Sequence, residues 1–282
     1  EHHIASRSKK PTFIFFIDEV FWVKNDWLRE FLALYKERIA IPFTANFRFG
    51  AIQELDIKLL AEAGAADMIL ATETGSEAQR MGLMNKPVKD EHIIEVADWF
   101  HKYGIQFSSS AFFGLPGDTV ADHVQRLAFF RRINPTYLWT TFFQAYPGLK
   151  LTREMEGENY LPKNKAFELT LHHDMYLNLP DRERLVRLKK VYFLCMKFPL
   201  LEKPLVALTR WNIPLLFDGL FMLHFSYYIA KFEHISFAQF LQYVKTFALN
   251  PILRKRQSLQ NIGRPFEPTR EATREAARQK VA

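Results

Sequence analysis

The chain has 282 residues, 48% of them hydrophobic and 15% aromatic, with 27 phenylalanines. That composition describes a globular protein with a sizeable core and excludes wholesale disorder. Of the net charge of +7, +5 falls in residues 254–282, where eight Lys/Arg stand against three Glu; the near-neutral body excludes a nucleic-acid footprint, and no nucleic-acid partner is expected.

A single cysteine, Cys195, excludes an intrachain disulfide framework, and the N-terminal EHHIASRSKK lacks the apolar core of a signal peptide. A cytoplasmic location is expected.

In chain order, FIFFI (13–17) is an apolar run too short for a helix and reads as a buried strand. Asn25-Asp26 opens a helix with Trp27, Leu28, Phe31, Leu34 and Tyr35 on one stripe. IPFTANF (41–47) is the second strand. A helix over about 53–63 follows, with Leu55, Leu59 and Leu60 inward and Gly64 as its stop. ADMILAT (66–72) is the third strand. Asp90 is expected to cap the next helix, which ends at Gly104. IQFSSSAFF (105–113) is the fourth strand, Asp118 or Thr119 caps a helix to about Arg132, and TYLWTTFF (136–143) is the fifth strand.

Strands joined by helical crossovers pair in parallel. The fold class is α/β, either a doubly wound sheet or part of an α/β barrel. Both place ligands at the C-terminal ends of the strands. Beyond about Lys150 the pattern becomes helical, rich in Leu and Phe, and interrupted by prolines. The segment 213–230 is too short and too polar for a membrane span and reads as a buried or interfacial helix. The tail from 254 is expected to be flexible.

The strand ends carry the unusual residues: Asp18-Glu19, Asn46 and Arg48, Glu73-Thr74-Gly75-Ser76, Gly114-Leu115-Pro116-Gly117-Asp118, and Gln144 to Gly148. In GLPGD the glycines allow a sharp turn and a close approach of main chain to ligand; an ordinary strand-to-helix loop explains them too. Glu73 could accept hydrogen bonds from sugar hydroxyls or an ammonium group, or Ser76 could simply cap a short helix. Asp18 or Glu19 could bind an ammonium group or pair with Arg48, which could equally clamp a carboxylate. The adjacent pairs His2-His3 and His172-His173 lack a third ligand at metal spacing, and Cys195 sits in an apolar helical setting as a core residue.

FFIDEVF, the Arg48 strand, ILATETGSE, FFGLPGDT and QAYPGLKL, in this order, resemble the core of radical S-adenosylmethionine (radical SAM) enzymes, and most of all the group with an N-terminal cobalamin-binding domain. The resemblance covers about residues 12–160. It implies a partial (β/α) barrel of six parallel strands, of which five are counted here. It sets boundaries at 1–11 for a lead-in, 12–150 for the partial barrel, 151–253 for a helical C-terminal subdomain and 254–282 for the basic tail. The family's CxxxCxxC motif, which holds a [4Fe–4S] cluster, is missing. A C-terminal fragment of a longer enzyme, inactive alone, is therefore expected in preference to a degenerate homologue.

The resemblance further implies site roles. Asp18 or Glu19 would meet the amino group of S-adenosylmethionine, and Arg48 its carboxylate. Glu73 and Thr74 would face the ribose or the amino group. Phe113, Gly114 and Leu115 would pack near the adenine, and Gln144 to Tyr146 would close the far side. Asp118 and Leu149 depart from the family's usual Glu and Thr. Cobalamin would come with a missing N-terminal domain, and the substrate would be a small or lipid-like molecule processed by methyl transfer, cyclisation or related chemistry. Two other readings stay open: a non-catalytic nucleoside-binding module, and a peripheral membrane-associated protein led by the basic tail and residues 213–230.

Overall fold

A computed structural model describes residues 1–6, 8, 10–21, 25–50, 52–146, 148–157, 160–161, 175, 177–232 and 241–242. The five expected strands form: β1 (Ile14–Phe16), β2 (Phe43–Phe47), β3 (Ala65–Leu70), β4 (Gln106–Phe113) and β5 (Tyr137–Phe142). They make one parallel sheet in the order β1-β2-β3-β4-β5. A doubly wound sheet reverses its strand order at a switch point, whereas a barrel adds each strand beside the last. The unbroken order settles the choice in favour of a partial barrel.

The helices are α1 (His2–Ala5), α2 (Asn25–Arg38), α3 (Glu54–Glu62), α4 (Glu77–Gly82), α5 (Asp90–Lys102), α6 (Val120–Ile133), α7 (Lys150–Gly157), α8 (Arg182–Lys197), α9 (Pro199–Leu208) and α10 (Pro214–Phe232). Neighbouring pairs α2/α3, α3/α5, α5/α6 and α6/α8 touch, so the outer layer follows the order of the strands. The chain divides into two compact units, Glu1–Phe225 and Ser226–Ala282, and α8 packs on β4 and β5 within the first. The tail 254–282 and the pair His172-His173 lie outside the described residues.

Strand alternation gives the sheet two chemically different faces. Phe43, Ala45, Phe47, Met68, Leu70, Phe107, Ala111, Phe113 and Phe142 are buried beneath the helices. Phe15, Thr44, Asn46, Ile69, Ser108, Ser110 and Thr141 fall on the other, inner face by the same register.

Local rules explain most helix ends. Gly64 and Gly104 take φ of +94° and +70° where α3 and α5 stop. Thr119 caps α6 in a reciprocal box with Asp122. Asp90 is not the cap of α5: that helix starts one position earlier than expected, with Lys89 at its N-cap, and the Asp90 carboxylate pairs with Arg80 instead. The expected stripes are rotated as well. Trp27 and Leu34 are exposed while Leu28, Leu32 and Tyr35 are buried, and Leu55 is exposed while Ile57 and Leu60 are buried. Aromatic contacts of Phe16 with Phe31, Tyr35 and Phe43 fix α2 on that rotation.

Candidate functional site

β3 is the central strand, and its C-terminal end is the most constrained point of the rim. Glu73 holds φ +64°, a left-handed conformation that L-residues other than Asn, Asp and Gly rarely adopt. Its main chain is tied to β4 on both sides. The Glu73 N–H donates to Ser110 Oγ at 3.3 Å, and its carbonyl accepts from the Phe112 N–H at 2.6 Å. Below it, Thr72 Oγ1 bonds Ser109 Oγ at 2.6 Å and the Ser110 carbonyl at 2.7 Å.

Thr74 is buried, donates to Gln79 Oε1 at 2.8 Å, and offers its carbonyl to Arg80 Nη1 at 2.7 Å. Arg80 is itself buried and also reaches the Val88 carbonyl and Asp90. Sequence reading missed Arg80 and Lys86, whose ammonium pairs with the Glu73 carboxylate. Ser76 does cap the short helix α4, accepting from the Gln79 N–H at 3.4 Å.

The Gly-Leu-Pro-Gly-Asp turn is held from beneath. Asp118 is fully buried and accepts four hydrogen bonds: Leu115 N–H at 3.0 Å, Gln79 Nε2 at 3.0 Å, Arg126 Nη2 at 2.7 Å and His123 Nε2 at 3.1 Å. Burial opposes ionising Asp118, but the His123 and Arg126 contacts more than offset it and hold the carboxyl below the usual range. Burial pushes His123 down, so its neutral ring donates Nε2–H to the carboxylate and stacks on Phe113 at 3.9 Å.

Gly114 and Gly117 take φ of +83° and +79°. Both values lie in the left-handed region that glycine favours, so the turn itself accounts for the two glycines. A Cβ at Gly114 would meet the Met175 side chain at 3.0 Å, and one at Gly117 would meet nothing within 4 Å. At Gly75 it would meet the Arg126 carbonyl at 3.0 Å and Phe130 at 3.2 Å. Turn geometry and the protein's own packing set all three positions.

The other rim residues differ in what they present. Phe113 and Leu115 bury their side chains, Phe113 between His123 and Tyr192, so along 113–115 main chain is what reaches the rim. Gln144 is buried and Tyr146 exposed. Asp18, Glu19 and Arg48 are exposed, and among the described residues no ion pair joins them. Asn46 Nδ2 instead donates to the Asp18 carbonyl at 2.8 Å, fastening the end of β1 to β2. On the inner face, the buried hydroxyls of Thr44, Ser108 and Thr141 have no hydrogen-bond partner among the described residues. A cleft of about 730 Å³ between Phe49-Gly50 and the start of α5 contains none of the expected site residues.

Among the described residues no group of three or more His, Cys, Asp or Glu side chains could hold a metal ion. Cys195 is buried in α8, and burial pushes its thiol up to about 12.

The fold has counterparts among solved proteins. Coproporphyrinogen III oxidase from Escherichia coli, a radical SAM enzyme, superposes with a TM-score of 0.50 at 14% identity, covering 65% of this chain and 40% of that one. This chain is thus built on the fold of a radical SAM enzyme, and it spans well under half of that relative. The radical SAM methyltransferase TsrM from Kitasatospora setae, solved with cobalamin and a [4Fe–4S] cluster, gives 0.43 at 13% identity over 66% of this chain and 48% of that one. Elp3 from Methanocaldococcus infernus gives 0.42 at 15% identity over 56% and 43%. No family model and no curated protein matches the sequence.

Proposed function

We propose that this chain is the S-adenosylmethionine-holding part of a radical SAM enzyme. The observation that carries the proposal is Glu73: a charged residue held in a strained backbone conformation at the C-terminal end of the central strand. Strain of this kind clusters at ligand-holding sites, and the three inner-face hydroxyls without a partner among the described residues suit a polar nucleoside. Asp18 or Glu19 would take the cofactor's amino group and Arg48 its carboxylate, while Glu73 and Thr74 would face the ribose or the amino group. The main chain of 113–115 would lie along the adenine, with Gln144 and Tyr146 closing the far side.

Bound S-adenosylmethionine would supply the radical chemistry, and the residues above would position it and exclude water. One buried cysteine cannot replace three thiolate ligands, so a [4Fe–4S] cluster would be held by polypeptide outside this sequence, and the chain alone would be inactive. Cobalamin would likewise belong to a further domain. The substrate class is small or lipid-like, the reaction methyl transfer or related chemistry, and the compartment the cytoplasm.

Saturation-transfer NMR of the chain with S-adenosylmethionine tests the reading. Adenine and ribose protons should be saturated through the wild-type protein and much less through Glu73→Gln. Equal transfer in both, or none in the wild type, would refute it.

A further inference from the structure

Helix α9 shows much of its apolar surface to water. A surface helix ordinarily hides its apolar side chains and exposes charge. None of the ten residues of α9 is buried, and Leu200 is 93% exposed. The outward positions Leu200, Lys203, Pro204 and Ala207 recur at the three- and four-residue spacing of one helix face. The acid of α9, Glu202, turns the other way, its Oε2 accepting from Arg131 Nη2 at 2.6 Å. The apolar surface continues past the helix end through exposed Trp211 and Ile213 to Leu215, 86% exposed.

This corner is fixed in its outward pose. Arg131 of α6 also donates to the Cys195 and Met196 carbonyls at 2.7 and 3.4 Å, and Arg187 Nε donates to the Thr209 carbonyl at 2.7 Å. Its exposed charges, apart from the neutralised Glu202, are the cations Lys203 and Arg210.

We propose that the corner formed by residues 198–216 docks on a membrane surface carrying anionic lipid. The cations match such a surface in sign, and Trp211 suits the headgroup boundary. Ten residues of helix reach about 15 Å, half of a hydrocarbon core of about 30 Å, so α9 cannot cross. Pro204 has no N–H for the Leu200 carbonyl, which must stay within reach of water. Both facts place α9 in the interface plane. The inference stands apart from the cofactor reading and shifts the contact from the whole 213–230 segment, whose Phe217 and Phe225 are buried, to its first residues and the helix before it.

The test is cosedimentation of the full chain with phosphatidylcholine vesicles, with and without phosphatidylglycerol. The wild type should favour the anionic vesicles. Leu200→Glu/Leu215→Glu, with an unchanged circular-dichroism spectrum, should bind about tenfold or more weakly even though the basic tail is intact. Lys203→Glu/Arg210→Glu should lose the preference for phosphatidylglycerol. Brominated lipid chains should quench a fluorescence component that Trp211→Phe removes. Equal sedimentation of wild type and Leu200→Glu/Leu215→Glu would overturn the proposal in favour of the tail. A concentration-dependent dimer, abolished by the same pair of changes and without vesicle binding, would overturn it in favour of a second copy.

Discussion

Replacing Lys189 with methionine should change how the stability of this protein depends on pH. Lys189 is 3% exposed and lies 4.7 Å from the Phe142 ring centroid and 5.6 Å from that of Phe221. Among the described residues no carboxylate pairs with it. Burial, and then the charge of Lys190, push its ammonium from 10.5 down to about 7. Between those two values the unfolded chain holds the proton and the folded chain does not, so stability rises with pH across that window. Below it both states are protonated and the penalty is constant, roughly 5 kcal/mol, of which the ring faces return about 1 kcal/mol.

From pH 7 to 8.5 the wild type should therefore gain on the order of 1–2 kcal/mol from this one group. Burial pushes His224 down to about 4 and the Cys195 thiol up to about 12, so through their unfolded states the two add only a few tenths of a kcal/mol in that range, with opposite signs. Urea midpoints at pH 7 and 8.5 measure the effect. Lys189→Met should be the more stable protein at pH 7 and should lack the gain. The same gain in both proteins, or a variant less stable than wild type at pH 7, would refute the argument.

Further outcomes follow from the rim. Asp118→Asn leaves Arg126 buried without its counter-charge and should cost about 3 kcal/mol, read as a fall in Tm. Gly114→Ala should destabilise by about 1–2 kcal/mol and Gly117→Ala by about 1 kcal/mol, because only the first also meets Met175. Glu73→Gly should relieve backbone strain and raise stability by up to about 1 kcal/mol while weakening S-adenosylmethionine binding, a separation that thermal melts and NMR titration can read together. Cys195 should resist Ellman's reagent in the folded protein and react once urea unfolds it.

The strands were legible in the sequence because each is an apolar run bounded by turn chemistry, and the alternation with helices required parallel pairing. The rotation of α2 and α3 was not legible. A 3.6-residue period marks a stripe, but which neighbouring stripe faces the sheet depends on partners such as Phe43, far along the chain. The crowding around two glycines was not legible for a similar reason: Met175 and Arg126, which meet Gly114 and Gly75, are distant in sequence. Of the site, the rim residues could be read from their shared place at strand ends. Their supports could not, although His123 and Arg126 lie among the inward apolar residues Val120, Leu127 and Phe130 of α6 and so carried a signal.

That helix is engaged at both ends. Near its start it grips the Asp118 turn through His123 and Arg126, and near its finish Arg131 clasps the α8–α9 junction. Five residues of helix, about 7.5 Å, separate the two grips. One short stretch of helix thus carries both the side chains that hold the glycine turn and the one that holds the apolar corner outward.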